Sequence, residues 1–147
     1  VMPSLGESAH FYIVGLGMEI MRDRLSCHKN VTVVGGVDDL SFWYLNSDVV
    51  VGPIFSGEGM KTKTAEAFMY GKLFLGTDEA FCGYQYPPDW LCNTAQDYID
   101  WITTLTLADS DVYCAASREL YENYYSDSSV KKNICEVMAS LGLNRSE

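Results

Sequence analysis

The sequence holds no apolar run near the roughly 20 residues that a membrane-spanning helix needs, and it does not begin with a basic-then-apolar leader. Basic residues are scarce. Ten Lys and Arg face 20 Asp and Glu, a formal net charge of -10. That balance excludes a duplex nucleic-acid binder and an electrostatic membrane anchor, both of which need a positive surface. The five cysteines (Cys27, Cys82, Cys92, Cys114, Cys135) are odd in number and scattered, with no CxxC and no short Cys/His spacing. A disulfide framework and a structural zinc site are therefore not expected, and reduced thiols place the chain in the cytoplasm. There is no GxxxxGK[ST] phosphate loop.

What remains is a chain of 147 residues, 48% hydrophobic, enough for one packed domain. Four short apolar runs recur: Phe11–Val14, Val31–Val34, Val49–Val51 and Leu73–Leu75. They are rich in β-branched and aromatic residues and continuous rather than alternating, which predicts strands buried on both faces. Each is followed at once by glycine. Between them, Met18 to Lys29 places Ile20, Met21 and Leu25 on one side of a helix. Asp39 to Asn46 carries Leu40, Trp43 and Tyr44 at helical spacing, and Lys61 to Tyr70 carries Ala65, Phe68 and Met69. Gly71 stands where a glycine would end that last helix. The order strand, helix, strand, helix predicts an α/β fold, a Rossmann-like three-layer domain with a parallel sheet of four to five strands.

Residues 73–130 hold ten acidic residues and one basic one, Arg118. Trp90-Leu91-Cys92 reads as a short edge strand after Pro87-Pro88. Helices are expected near 95–107, 110–125 and 129–141, with Tyr98, Ile99, Trp101, Ile102 and Leu105 forming an apolar face. The four tyrosines between Tyr113 and Tyr125 read as helix packing. His10 and His28 have no nucleophile or metal partner in the pattern and read as structural or exposed. Matches to the glycosylation sequon at Asn30-Val31-Thr32 and Asn144-Arg145-Ser146 are short enough to arise by chance.

In a parallel sheet, ligands bind beyond the carboxyl ends of the strands. The richest segment there is Gly57-Glu58-Gly59-Met60-Lys61-Thr62-Lys63-Thr64-Ala65-Glu66, a glycine-bearing loop entering a helix. Unpaired amides and the positive helix end make an anion site. Lys61 and Lys63 sit where the helix dipole disfavours a cation, so a bound phosphate would offset that cost. Glu66, a turn further on, can accept hydrogen bonds from vicinal hydroxyls such as those of a ribose, or pair with Lys63 on the helix face. Glu58 is placed to meet whatever extends beyond the phosphates. Gly15-x-Gly17 with Asp38 also matches the start of a dinucleotide fingerprint, but Ile20 occupies its third glycine position.

Together these strings resemble the retaining GT-B-fold glycosyltransferases of the group 1 type: Asp48-Val49-Val50-Val51-Gly52-Pro53, then Gly57-x-Gly59-x-Lys61-x-Lys63-x-x-Glu66-Ala67, then Gly71-Lys72 and Gly76-Thr77. Ile13-Val14-Gly15-x-Gly17, Val31-x-Val33-x-Gly35-x-Val37 and Ala80-x-x-Gly83 support the match, which spans roughly residues 11–107. The resemblance is to the C-terminal, nucleotide-sugar-binding half. It implies that residues 1–147 are a single donor-binding domain, without the Arg- and Lys-bearing strand–loop unit with which the donor-binding domain normally opens and without the N-terminal acceptor domain.

The resemblance also implies roles. Glu58 and Glu66, with seven residues between them as in the family's Glu-x7-Glu motif, would face the donor sugar, as the catalytic position, and the ribose. Gly57 opens the loop, the amides of Gly59, Met60 and Lys61 would hold the distal phosphate with Lys63 beside them, and the Gly36-Val37 turn would border the base. It implies a retaining hexosyltransferase that uses a UDP- or GDP-sugar and no metal or other cofactor. The acceptor would be a glycan or lipid-linked sugar, in polysaccharide or glycoconjugate biosynthesis. Any attachment at the membrane periphery would come through the missing domain, and the isolated chain would transfer nothing. Two other readings stand beside this one: a non-catalytic nucleotide-binding module and a GT-B-fold nucleotide-sugar epimerase.

Overall fold

The computed structural model describes residues 1–143, so the second sequon, at Asn144, lies outside the described residues. After a short helix, α1 (Met2–Leu5), come β1 (Phe11–Val14), α2 (Arg22–Leu25), β2 (Val31–Gly35), α3 (Ser41–Leu45), β3 (Val49–Gly52), α4 (Thr62–Met69) and β4 (Leu73–Gly76). The last third is helical: α5 (Ala95–Thr104), α6 (Leu107–Leu120), a π turn over Tyr121–Tyr125, and α7 (Asp127–Ser140). This is an α/β domain with four parallel strands, distributed over two small sheets. β1 pairs with β2 and β3 with β4, both in parallel. The segment read as an edge strand contributes one parallel bridge, Leu91 to Gly76, with Cys92 N–H donating to Gly76 O at 2.7 Å. Among the described residues no helix is long and apolar enough to cross a membrane.

The core lies under the β3–β4 sheet. β4 is buried along its whole length, and Phe68 of α4 sits among the rings of Phe74, Tyr84, Trp90 and Tyr125 at centroid distances of 6.0–6.4 Å. Tyr113 packs against Trp90 and Trp101 and Tyr125 against Phe68 and Tyr84, as expected, whereas Tyr124 is 47% exposed. Buried Ser117 of α6 donates to Lys72 O at 2.8 Å and fixes that helix beside the start of β4.

Two expectations need correction. Burial on both faces holds for β4 but not for β1 and β2, where Tyr12 is 57% exposed and Thr32 is exposed. The helix expected over Met18–Lys29 is a 3₁₀ turn (Met18–Met21) followed by the single turn of α2, and Ile20 is 84% exposed rather than packed. The cause is local. Gly17 enters the segment with φ 82°, and Glu19 turns back so that its carboxylate accepts from Gly36 N–H at 2.7 Å. A segment this short has no room for an apolar face two turns long.

Candidate functional site

β3 ends at Gly52, where a Cβ would stand 2.3 Å from the ring of Phe74; only glycine allows the two strands to pack here. The chain then runs through an exposed loop to Lys61, the N-cap of α4, whose backbone is extended and whose side chain caps nothing. Lys61 O accepts from Thr64 N–H at 3.0 Å and from the Tyr84 hydroxyl at 2.8 Å. Buried Thr64 donates to Ala80 O at 2.7 Å. These bonds fix the start of the helix against the turn that follows β4. At the other end, Gly71 takes φ 63°, and the amides of Gly71 and Lys72 return to Phe68 O and Ala67 O, both at 2.9 Å, closing α4 with a Schellman motif.

The beginning of α4 is open. Among the described residues no protein acceptor meets the backbone amides of Gly59, Met60, Lys61, Thr62 or Lys63. Gly59 bends the loop with φ 66°, a left-handed conformation suited to glycine. Five neighbouring donors thus lie at the positive end of a helix, beyond the carboxyl end of a parallel strand, an arrangement whose charge suits an anion. Lys63 and Glu58 are exposed and make no ion pair among the described residues. Lys61 is folded back: its Nζ lies 2.7 Å from Gly59 O and 2.7 Å from Glu79 Oε1.

Glu66 is not the partner of Lys63. Its Oε2 accepts from the hydroxyl of Tyr44, on α3, at 2.8 Å, and Tyr44 in turn stacks on Tyr70 with centroids 4.9 Å apart. Burial, followed by the Glu66 carboxylate itself, pushes the Tyr44 phenol far above its ordinary value, so it stays protonated and donating. The arrangement holds one carboxylate oxygen, and among the described residues the other accepts no hydrogen bond.

Gly36 and Val37 lie in a separate cleft of about 530 Å³, bordered by Leu16, Glu19, Asp38 and Leu40 and by no residue of the loop before α4. Glu19 closes on this cleft through the Gly36 amide. That hydrogen bond, with other backbone N–H groups, holds the carboxyl below its usual range. The structure thus brings Gly57, Gly59, Met60, Lys61, Lys63 and Glu66 together on one loop and helix, and sets Gly36 and Val37 apart. His10 is exposed and shares a 2.8 Å hydrogen bond with Thr32 Oγ1, a structural place. Among the described residues no three His, Cys, Asp or Glu converge as metal ligands.

Tyr44, Glu79 and Glu19 were not singled out from the sequence. Only Glu79 carried a signal, since it follows Thr77 and Asp78 at the carboxyl end of a strand, the edge where ligands bind.

Residues 1–106 match the family model described as glycosyl transferases group 1. No curated protein and no solved structure matches the chain.

Proposed function

The chain belongs to the group 1 glycosyl transferases, and from that premise we propose that it is the donor-binding domain of a retaining hexosyltransferase. In this reading it holds a nucleotide diphosphate sugar, a UDP- or GDP-sugar, while the acceptor side of the cleft comes from a domain outside residues 1–147. The diphosphate lies on the amides of Gly59, Met60 and Lys61 with Lys63 beside it. Glu66, steadied by Tyr44, takes the ribose hydroxyls. The base reaches the turn at Gly36 and Val37, and Glu58 faces the donor sugar.

The chemistry follows from charge. Breaking the bond between sugar and diphosphate leaves negative charge on the departing oxygens and oxocarbenium character on the sugar. Backbone amides left open toward the departing oxygens stabilise that charge as an oxyanion hole does, and Lys63 adds a positive charge beside them. The observation that carries the reading is the run of five amides without a protein acceptor at the open start of α4.

Calorimetric titration with UDP and with GDP tests it. Lys63→Ala and Glu66→Ala should each weaken binding by about tenfold, the loss of about 1.4 kcal/mol that one charge-assisted contact supplies. Both side chains lie outside the core, so the melting temperature should fall by no more than a few degrees. Unchanged affinity in both variants would remove them from the site.

A further inference from the structure

The ammonium group best placed to meet a diphosphate is already occupied. Lys61 Nζ touches Glu79 Oε1 and Gly59 O at 2.7 Å each, with the lysine side chain 11% exposed and that of Glu79 30% exposed. Two of its three protons are thereby satisfied. Gly57 stands against the same group, since a Cβ there would lie 3.2 Å from both Cε and Nζ of Lys61.

The two ends of this pair are held differently. Glu79 rides on a turn that is pinned on several sides. Thr77 donates to Ile54 O, Thr64 Oγ1 holds Ala80 O at 2.7 Å, and Asn93 grips both the amide of Asp78, at 3.0 Å, and its carboxylate, at 2.7 Å. Lys61 ends a stretch, residues 53–61, in which only Ile54 donates a backbone N–H to a backbone carbonyl. The carbonyl of Lys61 is held by Thr64 N–H and the Tyr84 hydroxyl, so Glu79 is the fixed pole and the Lys61 side chain, with the loop before it, the movable one.

A carboxylate and a phosphate oxygen are interchangeable partners for one ammonium group, since both accept charge-assisted hydrogen bonds. We propose that Glu79 is a resident counter-anion: it occupies Lys61 in the free protein, gives it up to the arriving diphosphate, and so sets the affinity of the anion site. This rests on the reading of the Gly57–Glu66 loop as a diphosphate receptor. With Glu79 in place the charges of Lys61 and Glu79 cancel, and Lys63 makes no ion pair among the described residues. A mostly buried ammonium without a partner would destabilise the free loop, and Glu79 prevents that. The cost is competition with the ligand, so binding and rearrangement of the loop are coupled.

The test uses the 147-residue chain with inorganic pyrophosphate as the probe, at fixed ionic strength because the contacts are screened. Affinity is read by calorimetry and by the amide shifts of Gly57 and Gly59. Four proteins are compared: wild type, Glu79→Gln, Lys61→Met and the double variant. Glu79→Gln should tighten pyrophosphate by about tenfold, Lys61→Met should weaken it, and in the Lys61→Met background the second change should matter by less than about twofold.

An equal gain in both backgrounds would mean that Glu79 acts only through general charge, and the proposal fails. It fails also if Glu79→Gln leaves affinity unchanged or lowers it while wild type binds. If none of the four binds pyrophosphate, the receptor reading itself fails and this inference with it. Should Glu79→Gln not fold, Glu79→Asp, which shortens the reach by one methylene, must shift affinity in the same direction or the proposal is overturned.

Discussion

Tyr98 is 4% exposed, and among the described residues its hydroxyl finds no hydrogen-bond partner. A buried hydroxyl without a partner loses its water and gains nothing in return, at a cost of about 1–3 kcal/mol. Tyr98→Phe removes the oxygen and keeps the ring, so it should leave stability unchanged or raise it by about 1 kcal/mol in urea unfolding. A loss of that size would show that the hydroxyl is satisfied in solution. Single-residue chemistry of this kind was the least legible part of the sequence. Lys61 and Lys63 stood out because cations at a helix start are out of place. The partners of Lys61 and Glu66 did not, because Glu79 is 18 positions from Lys61 and Tyr44 is 22 from Glu66. Pairs at that separation are made by the fold, and no local pattern encodes them.

At the scale of elements, local chemistry decides more. α5 begins at Thr94, whose hydroxyl accepts from Asp97 N–H at 3.3 Å while the Asp97 carboxylate accepts from Thr94 N–H at 2.8 Å and Asn93 N–H at 2.9 Å. This is a capping box closed by aspartate. Thr94→Ala should cost about 1 kcal/mol and lower the melting temperature by about 2–4 °C, read by circular dichroism. The same bonds hold the Asp97 carboxyl below its ordinary value. Its contribution is therefore present above the usual carboxylate range and lost as pH falls through the depressed value. The start of α5 and both ends of α4, closed by Gly71, were visible in the sequence to within a residue, whereas α5 ends three residues before the expected 107 and α6 begins three before the expected 110. The segment after Gly17 was not. Its apolar spacing was helical, but Glu19 is drawn to the Gly36 amide, and a distant contact overrides a weak propensity.

The whole molecule is uneven in a way that no single element reveals. The β3–β4 sheet carries the aromatic core, whereas the β1–β2 sheet is half-exposed, with Leu16 and Ile20 uncovered beside it. The sequence showed four similar apolar strands and could not show this division, because it depends on which edges meet. β1 and β3 are not hydrogen-bonded to each other; a small apolar slot bounded by Phe11 and Val51 separates them. Since Phe11 and Gly15 both donate toward β2, alternation turns the amides of Tyr12 and Val14 to the unpaired edge. A two-stranded sheet is marginal by itself, and amides are protected in proportion to the free energy of opening.

Native-state hydrogen exchange should therefore divide the molecule. Amides of Leu73–Gly76 should exchange at least about a hundredfold more slowly than those of Phe11–Val14, a difference of about 2.7 kcal/mol in opening free energy. Tyr12 and Val14 should exchange fastest within β1. The division matters for the proposed site, because the loop before α4 hangs from the β3–β4 sheet while Gly36 and Val37 hang from the β1–β2 sheet. Equal protection in the two sheets would mean that they open as one unit, and that the base-side turn is held as firmly as the loop before α4.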